Sequence, residues 1–132
     1  ELNDSELKFY YDIDECLKEN QVDVILLSSV LSYIQTPYDL LESVLKYNFN
    51  YVIIDRTLFI PGNSDILTKQ QVPEEIYNAS YPSWIFNKEK MIKFMSVNYA
   101  IVKDFDLKSL KILQRLLLIP TNYFIMKFTF FL

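Results

Sequence analysis

The stretch VDVILLSSVLSYIQTPYDLLESVLKYNFNYVIIDRT, residues 22–57, decides the fold. It opens with an apolar run, Val22 to Leu27, of the length and branched character of a strand buried on both faces. It closes with a second such run, Tyr51-Val52-Ile53-Ile54, stopped by the charged pair Asp55-Arg56. Between them lies a helix with its own start signal: Thr36 as N-cap, Pro37 at the first helical position, and Asp39 two residues on. Leu40, Leu41, Val44 and Leu45 then recur at helical spacing, and Lys46-Tyr47-Asn48 suits a last turn. This is a strand–helix–strand unit of a parallel sheet. Both strands end in polar groups, Ser28-Ser29 and Asp55-Arg56, and open α/β sheets place ligands at such carboxyl ends.

Outward from this unit the alternation continues. Leu7 to Tyr11 reads as a short strand, followed by the acidic turn Asp12-Ile13-Asp14-Glu15, in which Asp14 is placed to cap a helical turn reaching Lys18. Residues 57–83 contain Pro61, Gly62, Asn63, Pro73 and Pro82 without sustained periodicity, and read as a long lid or substrate loop. Its aromatic cluster, Tyr77, Tyr81, Trp84 and Phe86, argues against disorder. A helix begins at Asn87 with Met91, Ile92, Phe94 and Met95 as its buried side, and Tyr99 to Val102 is a strand. Leu110, Leu113, Leu116 and Leu117 suggest a helix to Pro120, and Tyr123 to Leu132 a final strand. Pro120, Asn122 and Lys127 interrupt the apolar end, so no membrane span is expected there. The expectation is one α/β domain over residues 1–132, its sheet mostly parallel with an antiparallel edge and helices on both faces.

The 132 residues are 51% hydrophobic and 16% aromatic, which excludes a disordered chain. A net charge of −4 without a Lys/Arg cluster argues against nucleic acid as a partner. No histidine is present, which removes the commonest general base and metal ligand. The lone Cys16 permits neither an internal disulfide nor a thiolate zinc site, so no metal site is expected. The lone Gly62 rules out a glycine-rich phosphate turn within the chain, since such turns need several glycines at fixed spacing. The polar, acidic start at Glu1 is no signal peptide, making the cytoplasm the expected compartment. A start without Met, close to an apolar run, reads as the start of a fragment.

Three segments together carry a resemblance: Leu26 to Leu41 (LLSSVLSYIQTPYDLL), Val52 to Thr57 (VIIDRT) and Val72 to Phe86 (VPEEIYNASYPSWIF). They resemble the second half of a class I S-adenosylmethionine-dependent methyltransferase, within a bacterial family of unassigned substrate. The resemblance spans Glu6 to Asp106; the glycine motif for the cofactor's methionine end is absent, and residues 107–132 depart from the pattern. It implies a partial Rossmann-like sheet with the Phe9, Val22 and Tyr51 segments as third, fourth and fifth strands, and Tyr99 and Tyr123 as sixth and seventh. It implies S-adenosylmethionine as cofactor, with Asp12 on the adenine amino group, Ile13 against the ring, and Ser28 and Ser29 near the transferred methyl. Asp55 and Arg56 would act on the acceptor, and Tyr33, Tyr81 and Trp84 would line its pocket. A small-molecule or glycan-type acceptor is the implied substrate.

Each residue also has a plainer reading. Asp12 and Asp14 suit a solvated, capped turn, and Ser28-Ser29 suits capping after a strand. Without histidine to take its proton, neither serine is an activated nucleophile. Asp55-Arg56 suits a strand-end ion pair; functionally, the acid would deprotonate an acceptor hydroxyl and the guanidinium would bind an anionic group. The aromatics suit pinning a loop to the core, and Cys16 suits a small apolar filler. A second hypothesis is a non-catalytic α/β module that associates, as a homodimer for example, through an exposed sheet edge. An aspartyl-phosphate receiver is a third; Arg56 stands where its lysine is expected.

Overall fold

The structure, a computed structural model, describes residues 7–106 and 121–128. The elements run α1 (Ile13–Glu19), β1 (Val24–Ser28), a 3-10 turn (Leu31–Tyr33), α2 (Pro37–Leu45), β2 (Tyr51–Ile60), β3 (Ile66–Gln71), β4 (Ser80–Asn87), α3 (Lys88–Met95), β5 (Tyr99–Asp106) and β6 (Thr121–Phe128). The class is α/β with a mixed sheet. β2 is its axis. β1 lies parallel to it from Tyr51 to Asp55, and β6 lies antiparallel along its other side. β5 pairs antiparallel with β6, so β1, β2 and β5 share one direction, with β6 reversed between the last two. At its far end, Phe59 and Ile60 of β2 pair parallel with β4, and β4 carries β3 antiparallel.

The β1–β2 register explains the core. Ile25 stands beside Val52 and Leu27 beside Ile54, so these four share one face. The apolar stripes of α2 (Leu41, Leu45) and α3 (Met91, Met95) pack there, joined by Phe59, Phe86 and Tyr99 in one cluster. Each such side chain contributes roughly 1.5–3 kcal/mol on burial. Tyr38 of α2 meets Phe94 of α3 edge-on, ring centroids 5.0 Å apart, which sets the two helices side by side. The Tyr99 hydroxyl donates to the Phe49 carbonyl at 2.8 Å, tying β5 to the chain entering β2. The other face of β1 carries Val24 and Leu26, 44% and 58% exposed.

Several sequence expectations are corrected. Leu7 to Tyr11 takes no strand conformation, and Leu7, Phe9 and Tyr11 are exposed. Asp12, not Asp14, caps α1; its carboxylate accepts from the Glu15 amide at 2.7 Å, while Glu15 Oε2 accepts from the Tyr11 amide at 3.1 Å. Thr36 precedes α2 without a side-chain capping bond, the helix start resting on Pro37. Asp55-Arg56 does not stop the second strand: a bulge between Ile54 and Thr57 absorbs the pair, and β2 continues to Ile60. Residues 57–83 are not a lid but mostly the end of β2 and the β3–β4 hairpin. Among the described residues α2 and α3 share one face, while α1, none of whose residues is fully buried, lines a groove with Val22 and Val24. The α3 and β5 segments stand where expected, and the final strand runs Thr121–Phe128. The helix expected before Pro120 lies outside the described residues. No helix among them is long and apolar enough to cross a membrane.

Candidate functional site at the carboxyl ends of β1 and β2

Ser28 is the last residue of β1, and its register partner on β2 is Asp55. The Ser28 hydroxyl donates to Asp55 Oδ2 at 2.6 Å. It accepts from Arg56 Nε at 3.0 Å and Nη2 at 2.8 Å. One donor and two lone pairs are all a serine hydroxyl has, so Ser28 is saturated. It is a bridge between acid and base, not a nucleophile. Asp55 Oδ2 also lies 3.5 Å from Arg56 Nε. The aspartate side chain is 18% exposed and the arginine side chain 61%, so the guanidinium's remaining N–H groups face solvent.

The backbone here is strained. Ser29 has φ 56° and Arg56 φ 48°, left-handed values that cost a non-glycine residue roughly 1–2 kcal/mol each. The two are tied together: the Ser29 amide donates to the Asp55 carbonyl at 3.0 Å. The bulge at Asp55-Arg56 makes the second left turn and sends Arg56 back across β1. The buried Thr57 hydroxyl donates to the Asp55 carbonyl at 3.2 Å. Among the described residues, two buried side-chain atoms lack a hydrogen-bond partner, Asp55 Oδ1 and Ser32 Oγ. Both sit at this end of the sheet, where an ordered water or a ligand group would satisfy them.

An aromatic wall stands beside the cluster. The 3-10 turn after Ser29 carries Tyr33, whose ring meets that of Tyr81 on β4 edge-on at 5.5 Å. Burial, then the neighbouring Tyr81 phenol, pushes the Tyr33 hydroxyl above its ordinary pKa. Trp84 Nε1 donates to the Ile34 carbonyl at 3.1 Å, fastening β4 to the same turn. Tyr81 also lines a shallow groove of about 410 Å³ along the hairpin, with Lys69, Ser80 and Pro82.

The nine expected site residues therefore fall into two groups. Ser28, Ser29, Asp55 and Arg56 form one constellation, with Tyr33, Tyr81 and Trp84 adjoining it. Asp12 and Ile13 stand apart. They line a groove of about 440 Å³ with Val22, Val24 and Phe49, at the amino-terminal end of β1. Desolvation, then the nearby Asp14 carboxylate, raises the pKa of the Tyr47 phenol. Ser32 and Thr57 were not singled out by sequence reasoning. Their hydroxyls differ from ordinary capping groups only through burial, which no local pattern encodes.

Among the described residues no group of three or more His, Cys, Asp or Glu side chains is arranged to hold a metal ion. No family model, curated protein or solved structure matches this chain.

Proposed function

We propose that the chain supplies the carboxyl-end crevice of a Rossmann-like, S-adenosylmethionine-dependent methyltransferase acting on a small-molecule or glycan-type acceptor. The observation that carries this reading is the concentration of unfavourable features at one place. Two left-handed residues and two orphaned polar atoms gather where parallel strands β1 and β2 end. Backbone strain clusters at functional sites, and buried polar atoms without a protein partner are met there by a ligand or an ordered water. Open α/β sheets bind ligands at this end. The resemblance carried by residues 26–41, 52–57 and 72–86 adds the reaction class.

Bound S-adenosylmethionine supplies an electrophilic sulfonium methyl. Ser29 and the buried, unpartnered Ser32 hydroxyl lie in the turn that follows β1 and would be its donors and acceptors toward the cofactor. Asp55 would act on an acceptor hydroxyl through its unpartnered Oδ1 only once this buried oxygen is uncovered, while Ser28 fixes its other oxygen. Arg56 keeps N–H groups for an anionic acceptor group, and Tyr33, Tyr81 and Trp84 offer ring faces to a sugar or aromatic. Asp12 and Ile13 line the groove at the other end of β1, so one copy does not gather all four cofactor residues. The same reading sets the chain in the cytoplasm, where the lone Cys16 stays reduced.

A second reading, a non-catalytic module acting by association, is favoured by one observation: β1 pairs only with β2 among the described residues. Calorimetry separates the two. The methyltransferase reading predicts saturable heat with S-adenosylmethionine, weakened several-fold by Ser32→Ala without loss of folding stability. No heat at millimolar cofactor would leave the module.

A further inference from the structure

We propose that the outer edge of the Arg56 guanidinium is a carboxylate-binding fork, and that the acceptor is therefore a ring compound bearing a carboxylate, such as a sugar acid or an aromatic acid. Its role as methyl acceptor rests on the methyltransferase reading; the anion site does not.

The fork follows from what the inner edge already does. Nε and Nη2 lie on one side of the guanidinium, and both donate to Ser28 Oγ, at 3.0 and 2.8 Å. Of the five N–H donors of an arginine, the two on Nη1 and the second on Nη2 are left. Nη1 and Nη2 form the other edge of the planar group, where paired N–H groups match the two oxygens of a carboxylate. The side chain is 61% exposed, so this edge is open to a ligand. It is also held still. Ser28 donates to Asp55 Oδ2 at 2.6 Å, so the hydroxyl that fixes the guanidinium is itself fixed. An arginine ordered in advance loses less side-chain freedom on meeting its anion. The left-handed φ of 48° at Arg56 turns the guanidinium back across β1, and strained residues of this kind cluster at ligand sites.

Local charge selects the kind of anion. Asp55 already places a carboxylate oxygen 3.5 Å from Arg56 Nε. A bound carboxylate sets two negative charges against this one cation, whereas a phosphate monoester, with a charge of about −2 at neutral pH, sets three. The net charge of −4 on the whole chain disfavours polyanions further. Residue type points the same way. Arg56 is the only arginine among the described residues, whose other cations are lysines. Lysine at this strand end would supply the charge without the planar fork.

The ring is implied by the turn that follows. The Ser29 amide ties that turn to β2 through the Asp55 carbonyl at 3.0 Å, and the turn brings Tyr33 to Tyr81. Their rings meet edge-on at 5.5 Å, and Tyr33 remains 51% exposed, so part of its ring is open. Such a wall takes the flat side of a sugar or an aromatic ring. Burial, then the Tyr81 phenol, raises the Tyr33 pKa, so this hydroxyl stays neutral near pH 7 and does not repel an anion.

The test is chemical-shift mapping of the backbone amides and the arginine Nε–H signal, on the full chain without cofactor, at neutral pH and fixed ionic strength. Glucuronate and benzoate are the acids; glucose and benzyl alcohol are their neutral counterparts. Saturable shifts at Arg56 Nε–H, Ser28 and Tyr33 are expected with one of the acids and not with its neutral counterpart, and the acid that binds assigns the ring. Arg56→Lys keeps the charge and loses the fork, and should weaken that acid at least about tenfold with an unchanged circular dichroism spectrum. The proposal is overturned if neither acid shifts these signals at high millimolar concentration, or if acid and neutral compound bind alike. Unchanged acid binding by Arg56→Lys overturns it too, as does inorganic phosphate binding more tightly than either acid. Acid binding by a chain that shows no shift with S-adenosylmethionine keeps the fork and ends the methyltransferase reading. Cofactor shifts without acid binding keep that reading and end this proposal.

Discussion

Arg56 occupies a conformation that its own side chain disfavours, and its neighbours show why it is held there. Among the described residues, left-handed φ values occur at three non-glycine residues, Ser29, Asn48 and Arg56. Asn48 needs no special account: it follows α2, its amide donates to the Leu45 carbonyl at 3.3 Å, and asparagine tolerates this region at helix ends. Ser29 and Arg56 have no such excuse. Arg56 turns left so that its guanidinium returns to Ser28 Oγ, closing the bridge to Asp55. Arg56→Ala loses the bridge and keeps the strain, whereas Arg56→Gly loses the bridge and relieves the strain. Urea denaturation should therefore find the glycine variant more stable than the alanine variant by about 1 kcal/mol. Equal stabilities would remove the strain argument for this site.

The β3–β4 hairpin is the element the sequence hid. Pro61, Gly62 and Pro73 punctuate the stretch like a loop, and Pro82 sits inside β4, opposite Lys69. Thr68, Lys69, Gln70 and Gln71 alternate too weakly in polarity to announce a strand, because the hairpin stands at the margin of the core. What holds it is non-local. Asp65, in the turn before β3, has a side chain only 6% exposed. It accepts from the Asn87 amide at 2.7 Å and from the Tyr38 hydroxyl at 3.3 Å, and it pairs with Lys90. Asn87 in turn donates to the Gly62 carbonyl at 2.6 Å while capping α3 through the Lys90 amide at 2.7 Å. One carboxylate thus clasps the β2–β3 turn, α2 and the start of α3. Asp65→Ala strands a buried amide and a hydroxyl, and should cost about 2–4 kcal/mol in thermal or urea unfolding. Lys90→Ala removes only the half-exposed partner and should cost about 1 kcal/mol or less. By contrast, β1, α2, β2 and α3 were legible, because their apolar periodicities and helix-start residues are local. Of the site, the residue types at the strand ends were legible. The bulge that joins Asp55 and Arg56 to Ser28 depends on β6, far along the chain, and was not.

At the scale of the molecule, one apolar layer between the sheet and two helices carries the fold, and the sheet's other face shows Val24 and Leu26 to solvent. The chain has no histidine, so no imidazole step marks its stability near neutral pH. The phenols supply the visible dependence instead. Burial raises Tyr33, Tyr38 and Tyr99 above their ordinary value, with the Asp65 charge adding at Tyr38 and the Tyr81 phenol at Tyr33. The unfolded chain then releases these protons first, near pH 10, while the folded chain retains them. Their contribution is complete below about pH 10 and is lost as pH rises toward the folded values. Urea midpoints measured from neutral to strongly alkaline pH should stay level with respect to these groups and then fall above about pH 10. Tyr38→Phe should soften that fall.

We propose the carboxyl ends of β1 and β2 as the ligand site. Amide chemical-shift mapping during a titration with S-adenosylmethionine tests it most directly, because it reports position as well as binding. Saturable shifts are expected at Ser28 to Tyr33 and Asp55 to Thr57, strongly reduced in Ser32→Ala. A spectrum unchanged at millimolar cofactor, or shifts confined to the β3–β4 hairpin, would contradict it.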